Sequence, residues 1–213
     1  MAEPQPQPAP LPDLPPAQPH PLAETRIRGE SLFRGSFLSA WRDQVRLPDG
    51  STAFREYVTH PGAVVVIALL DDGRVVMERQ YRYPVGRAMI ELPAGKLERG
   101  EDPLWCAQRE LLEETGYRAR EWAYAGQMHL AIAYSTEVIH ICFARGLSAG
   151  ERQLDQGEFL EVFTATPDEL LGWVRSGELT DAKTLSCLPW LDHVARGAWT
   201  LEWRDPPSAT GAR

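Results

Sequence analysis

Cysteine is scarce in this 213-residue chain: Cys106, Cys142 and Cys187 are odd in number, far apart and set in apolar sequence. They read as reduced core thiols of a cytoplasmic protein, which argues against a disulfide framework. Long hydrophobic runs are also missing, since no segment approaches the roughly 20 apolar residues of a membrane span. Residues 1–24 hold nine of the 18 prolines but no aromatic residue, and no basic residue except His20. Both the charged start and the apolar middle of a secretory leader are therefore absent, and the stretch is expected to be a disordered, polyproline-type tail. Basic charge is in deficit as well. With 22 Lys and Arg against 30 Asp and Glu, the formal net charge is −8 and the pI near 5.2. That argues against a nucleic-acid-binding surface, although a locally basic pocket could still hold a phosphate.

What is present suits an enzyme-sized domain. A chain of this length with 43% hydrophobic residues can bury a substantial core. Residues 31–58 alternate apolar and polar around Pro48-Asp49-Gly50, which predicts a hairpin with a third strand. Residues 62–83 read as a second hairpin about Asp71-Asp72-Gly73, whose continuous apolar runs suggest strands covered on both faces. Further strands are expected over 122–130, 137–147 and 159–165, the last preceded by a polar loop at 151–158. Thr166-Pro167-Asp168-Glu169 combines an N-cap, a first-turn proline and a glutamate at the third position, announcing a helix that ends near Ser176-Gly177. Another helix starts behind Thr180 and runs towards 197, with Pro189 expected to kink or split it.

The densest chemistry lies in residues 95–117, GKLERGEDPLWCAQRELLEETGY. A helix over 103–115 has Pro103 in its first turn, where a missing N–H costs nothing, and Gly116 just past its end. Leu104, Ala107 and Leu111 form its apolar stripe. At about 100° per residue, Glu114 falls almost within that stripe and Glu110 lies at its edge. Two carboxylates thus converge beside buried surface, which is costly unless something positive neutralises them. A divalent cation is the natural partner, and all-oxygen ligation suits magnesium.

The same segment fits the pattern G-x5-E-x7-R-E-U-x-E-E-x-G-U, where U is bulky and apolar, at Gly95, Glu101, Arg109, Glu110, Glu113, Glu114 and Gly116, with Leu111 and Tyr117 in the apolar slots. It therefore resembles the box of the Nudix hydrolases, which cut a nucleoside diphosphate linked to another moiety. From about residue 32 to 196, through REYVTHPGAV, ERQYRYPVG, ELPAGKLERGE, GEFLEV and SGELTDAKT, the chain is similar to the ADP-ribose pyrophosphatase branch. The resemblance implies an α/β (α+β) fold, the α/β/α Nudix sandwich with a mixed sheet over 61–200. It is preceded by a disordered tail at 1–24 and a small antiparallel β extension at 25–60 that dimerises, and followed by a C-terminal tail at 201–213. It implies Mg2+, or Mn2+ in its place, held by the Ala94 carbonyl, Glu110, Glu114 and Glu158. Arg55 and Arg82 would grip phosphates and ribose, Glu137 would contact ribose, and Glu101 and Arg109 would brace loop and helix. The proton acceptor would be Glu158, with Glu113, Asp155 and Glu161 as alternatives, because an acid found upstream in some relatives is Gln156 here. A second departure is Ile132-Ala133, where branch members often carry a Ser-Pro-Gly stretch. The implied reaction converts ADP-ribose to AMP and ribose 5-phosphate in a homodimer without nucleic-acid or membrane partners. The alternatives are another nucleotide sugar or a dinucleotide, such as GDP-mannose, NADH or FAD, or a non-catalytic ADP-ribose-binding module.

Overall fold

The computed structural model describes residue 14 and residues 18–154 and 156–206. Contacts divide the chain into two compact units, Met1–Pro61 with Ala131–Glu137, and Gly62–Leu130 with Val138–Arg213. Most of the tail expected over 1–24 lies outside the described residues, as do Asp155 and residues 207–213.

The first unit is an antiparallel sheet in the order β1 (Thr25–Arg34), β2 (Ser39–Arg46) and β3 (Thr52–Thr59). Its β2–β3 turn closes through Leu47 N–H to Ser51 O at 2.8 Å, with Gly50 supplying a φ of +84°. The distant loop 131–137 joins this unit by backbone pairing. Val58 N–H donates to Tyr134 O at 2.8 Å, and Thr136 N–H donates to Val58 O at 3.1 Å.

The second unit carries β4 (Ala63–Ala68), β5 (Val75–Arg82), β6 (Arg87–Glu91), β7 (Ala94–Lys96), α1 (Pro103–Thr115), β8 (Tyr117–Met128), β9 (Ile139–Ala149), β10 (Leu160–Ala165), α2 (Pro167–Ser176) and α3 (Ala182–Ala195). In place of one mixed sheet there are two: β7-β4-β9-β8, in which β4 and β9 run parallel, and the antiparallel β10-β5-β6. The expected hairpin about Asp71-Asp72-Gly73 is accordingly a turn without a hairpin. Beyond the single Leu69–Val75 bridge, β4 pairs with β7 and β9, while β5 pairs with β6 and β10. The physical reason is the burial of β4, whose residues 64–68 are fully buried on both faces. A strand of that kind belongs between other strands and between helices.

The alternation along β4 builds the layers. Val64, Val66 and Ala68 pack with Cys106, Ala107 and Leu111 of α1. Val65 and Ile67 pack with Leu170 of α2 and with Cys187 and Leu191 of α3. This is the α/β/α sandwich. Full burial of each large aliphatic side chain contributes ~1.5–3 kcal/mol, so β4 alone supplies a sizeable part of the driving force.

The helix ends follow their local chemistry. Asp102 caps α1 by accepting from Leu104 N–H at 2.9 Å and Trp105 N–H at 3.2 Å, and Gly116 closes it at φ +76°. Thr166 and Glu169 form the reciprocal capping box of α2. Asp181, not Thr180, caps α3, and that helix runs unbroken through Pro189. Residues 201–206, expected to begin a tail, return to β8: Arg204 and Trp122 exchange both backbone hydrogen bonds at 2.9 Å. Trp203 meets Phe143 edge to face, and the Arg145 guanidinium lies 4.0 Å from the Trp203 ring centroid.

Gly116 is doubly constrained, because a Cβ there would also lie 2.6 Å from the Gly150 carbonyl oxygen. Gly116→Ala should therefore cost more than Asp102→Ala, which removes a cap at ~1 kcal/mol. Thermal melts should show a fall of ~2–4 °C for Asp102→Ala and at least twice that for Gly116→Ala. Equal losses would contradict the constraint at Gly116.

Candidate active site

Strand β5 alternates faces, and one face reads Val76, Glu78, Gln80, Arg82. Val76 packs in the cluster beneath α1, so the next residue on that face, Glu78, is carried under the helix as well. Glu78 is fully buried, and among the described residues neither of its carboxylate oxygens has a hydrogen-bond partner. Its direct cross-strand neighbour on β6 is another buried acid, Glu91. Sequence reasoning missed Glu78. It reads as the first charge of a strand running out to solvent, and only its fully buried alternation partner could have flagged it.

The helix contributes two more acids. Glu114 is 3% exposed and accepts from Ala94 N–H at 3.1 Å. Glu110 lies against Gly95 so closely that a Cβ on Gly95 would sit 1.8 Å from the Glu110 carboxyl carbon. Glycine is required there by contact alone. β7 is held in place by β4, with Val65 opposite Ala94 and Val64 opposite Gly95. Glu158, before β10, accepts from the Gln80 side chain at 3.3 Å and stands near enough to Glu114 to raise its pKa.

Arg109 ties the box together. Its guanidinium donates to Glu101 at 3.0 and 3.1 Å, to Glu110 at 2.9 Å, to Glu113 at 3.0 Å and to the Lys96 carbonyl at 3.2 Å. Glu101 in turn accepts from Glu98 N–H at 2.8 Å, which fastens the loop before α1. Arg82 forms a two-pronged bond to Glu91 at 2.7 and 2.9 Å.

The second unit thus gathers Arg82, Ala94, Gly95, Glu101, Arg109, Glu110, Glu113, Glu114, Gly116 and Glu158. Arg55 and Glu137 belong to the first unit. Arg55 is held by Glu24, at 2.9 Å from its Nε, and Glu137 lies 3.5 Å from His60 Nδ1. Glu161 is paired with Arg79 at 3.0 Å.

Negative charge is in excess at this site. Burial pushes the Glu110 carboxyl up to about 7, with Glu113 adding repulsion against the opposing pull of Arg109. Burial and the facing Glu91 raise Glu78 to about 8. Glu114 is raised well above the ordinary carboxylate value by burial and then by the charges of Glu78, Glu110 and Glu158. Among the described residues, no three or more His, Cys, Asp or Glu side chains form a ready-made metal cage. A magnesium-like ion does not need one, since it keeps several waters and binds through one or two carboxylates and phosphate oxygens. The unpartnered Glu78 oxygens, the raised acids and the Gly95 surface bare of a side chain all fit a hard cation among oxygen donors.

Residues 59–186 match the family model of the NUDIX domain. The chain belongs to the Nudix family. It is 41% identical over 172 residues to an ADP-ribose pyrophosphatase of Bacillus subtilis (strain 168), covering 80% of this chain and 93% of the relative. It is 40% identical over 170 residues to a methanol dehydrogenase activator of Bacillus methanolicus, covering 79% and 92%. A crystal structure of an ADP compounds hydrolase superposes with a TM-score of 0.74 at 19% identity, over 82% of this chain and 95% of that one, which shows the shared Nudix fold. Nudix enzymes use divalent metal ions, in keeping with the acid excess beside α1.

The raised acids set a pH dependence with a definite sign. Glu78, Glu110 and Glu114 bind protons more tightly folded than unfolded, so their contribution is fully present below the unfolded value near 4.3 and is lost as pH rises through the folded values. In EDTA, the melting temperature should fall by ~5 °C or more between pH 6 and pH 8.5. Millimolar Mg2+ should raise it more at pH 8.5 than at pH 6. A metal-free melting temperature that climbs with pH across this window would contradict the assignment.

Proposed function

We propose that this Nudix enzyme hydrolyses the pyrophosphate bond of ADP-ribose, giving AMP and ribose 5-phosphate, with Mg2+ as its ion. The observation that carries the reading is the buried acid cluster of Glu78, Glu110 and Glu114 set against Ala94 and Gly95. The 41% identical ADP-ribose pyrophosphatase supports the choice of substrate.

Glu110, Glu114 and the Ala94 carbonyl would hold the ion, with Glu158 in reach from its loop. A divalent ion there supplies charge neutralisation at phosphate oxygens and an acidified water. The chain's own residues do the rest. Arg82 presents a planar fork of donors suited to phosphate oxygens. Glu158, half-buried and bonded only weakly to Gln80, serves as proton acceptor, with Glu113 in second place because Arg109 already claims it. Arg109 and Glu101 keep α1 and the preceding loop in register. Arg55 and Glu137 would serve the terminal ribose and its phosphate.

The reading includes a cytoplasmic homodimer. The first unit leaves Ile27, Leu32, Phe33, Phe37 and Phe54 between 44% and 61% exposed, and exposed apolar surface of this kind supports an interaction face. A second copy of the chain is the occupant proposed for it. No helix among the described residues is long and apolar enough to cross a membrane, and all three cysteines are free and buried.

Incubation with ADP-ribose in Mg2+ should yield AMP and ribose 5-phosphate, and yield neither in EDTA. Glu114→Gln should keep the fold yet lower turnover at least ~100-fold, the scale of losing metal or acid–base function. It should also raise the metal-free melting temperature towards alkaline pH, where the wild-type acids are driven to ionise and an amide carries no charge to bury. Near-wild-type turnover in this variant would overturn the site.

A further inference from the structure

The SGELTDAKT segment has no part in the mechanism above, yet the start of α3 is joined to Arg82 through Glu91. Lys183, a side chain only 9% exposed, places its ammonium on Glu91 Oε2 and, at 2.9 Å, on Asp181 Oδ2. Asp181 also caps the helix, accepting from Thr184 N–H at 3.0 Å and from the Thr184 hydroxyl at 2.7 Å. Thr184 Oγ1 in turn accepts from Leu92 N–H at 3.0 Å. Side chain and backbone of adjacent residues on β6 and its exit are thereby bolted to one helix turn, two residues before Ala94.

Glu91 is the carboxylate that Arg82 grips. It therefore has two cations, one buried and one whose side chain is 38% exposed. Without Lys183, Arg82 would be the only cation bonded to Glu91 among the described residues, and Glu91 faces buried Glu78 across the strand pair. An arginine drawn wholly into that duty has less charge to offer a ligand. With Lys183 present, the Arg82 fork is aligned by two of its five N–H donors and keeps the others for a second anion. The chain has only two lysines, Lys96 and Lys183, among 22 basic residues, and at 183 the compact ammonium lies between two carboxylates.

We propose that Asp181-Ala182-Lys183-Thr184 is a positioning clamp, in which Lys183 holds Glu91 so that Arg82 presents its guanidinium to the diphosphate of the substrate. The inference rests on the phosphate-gripping role given to Arg82 above. Lys183 touches neither substrate nor reacting atoms, and acts through Glu91 and Arg82.

The test compares Lys183→Met, Arg82→Ala and the double variant. Steady-state kinetics with ADP-ribose are read beside equilibrium binding of ADP, which carries the diphosphate without the second ribose. Lys183→Met should raise KM for ADP-ribose and Kd for ADP by ~10-fold, with kcat changed less than ~3-fold. In the Arg82→Ala background the same substitution should change both by less than ~2-fold, since residues acting as one unit are not additive. If Lys183→Met alone does not fold, Asp181→Asn with Lys183→Met removes one charge of each sign and serves in its place. A lowered melting temperature with unchanged KM and Kd, a loss confined to kcat, or effects that multiply in full would each overturn the clamp. A wild-type protein that binds ADP but releases no AMP from ADP-ribose would refute the substrate and leave the clamp to be judged on ADP binding.

Discussion

The structure turns on one constraint: Glu78, Glu110 and Glu114 are carboxylates packed where apolar side chains would otherwise sit. An isolated charge in such a place costs far more than a folded domain can spare, so the group must be neutralised or protonated. Near pH 7 Glu78 and Glu110 sit at the boundary between the two states, and Glu114 is raised well above the ordinary carboxylate value. The fold resolves the same problem differently at Glu91, which faces Glu78 across the β5–β6 pair. Burial opposes ionisation of Glu91, yet Arg82 and Lys183 together hold its pKa below the ordinary carboxylate value. Glu91 carries its own two cations, whereas Arg109 bonds Glu110 alone of the other three acids and shares itself with Glu101 and Glu113, so negative charge is left over for a cation from outside.

That division explains which elements had to be rigid. β4 is buried on both faces and anchors β7, which carries Ala94 and Gly95 against α1. Arg109 joins the loop, the helix and the Lys96 carbonyl in one set of bonds. Two carboxylates can be held in apolar surroundings only if their backbones cannot retreat, and both backbones are pinned.

Much of this was legible in the sequence. The limits of α1 follow from Pro103 and Gly116, those of α2 from its capping box, and Glu110 and Glu114 from the helical period, because each signal is local. Pairing partners were not legible. Asp71-Asp72-Gly73 makes the expected turn, but β4 and β5 leave it for different sheets, a choice settled by β9 and β10 far along the chain. Glu78 and Lys183 were missed for the same reason. A glutamate after an apolar run and a lysine in a helix's first turn both read as solvent-facing until β6 and α3 are brought together. Pro189 announces a break, yet α3 continues because Cys187 and Leu191 are buried on either side of it.

The central claim, that buried protonated acids give way to a metal ion, is tested most directly by calorimetry. Mg2+ is titrated into metal-free protein at pH 7.5, in buffers of equal pH but different ionisation enthalpy. The account predicts a binding heat that depends on the buffer, corresponding to release of about one proton per ion bound, because carboxyls held near or above this pH must ionise to ligate or face the ion. A heat identical in every buffer, with Mg2+ still bound, would contradict it.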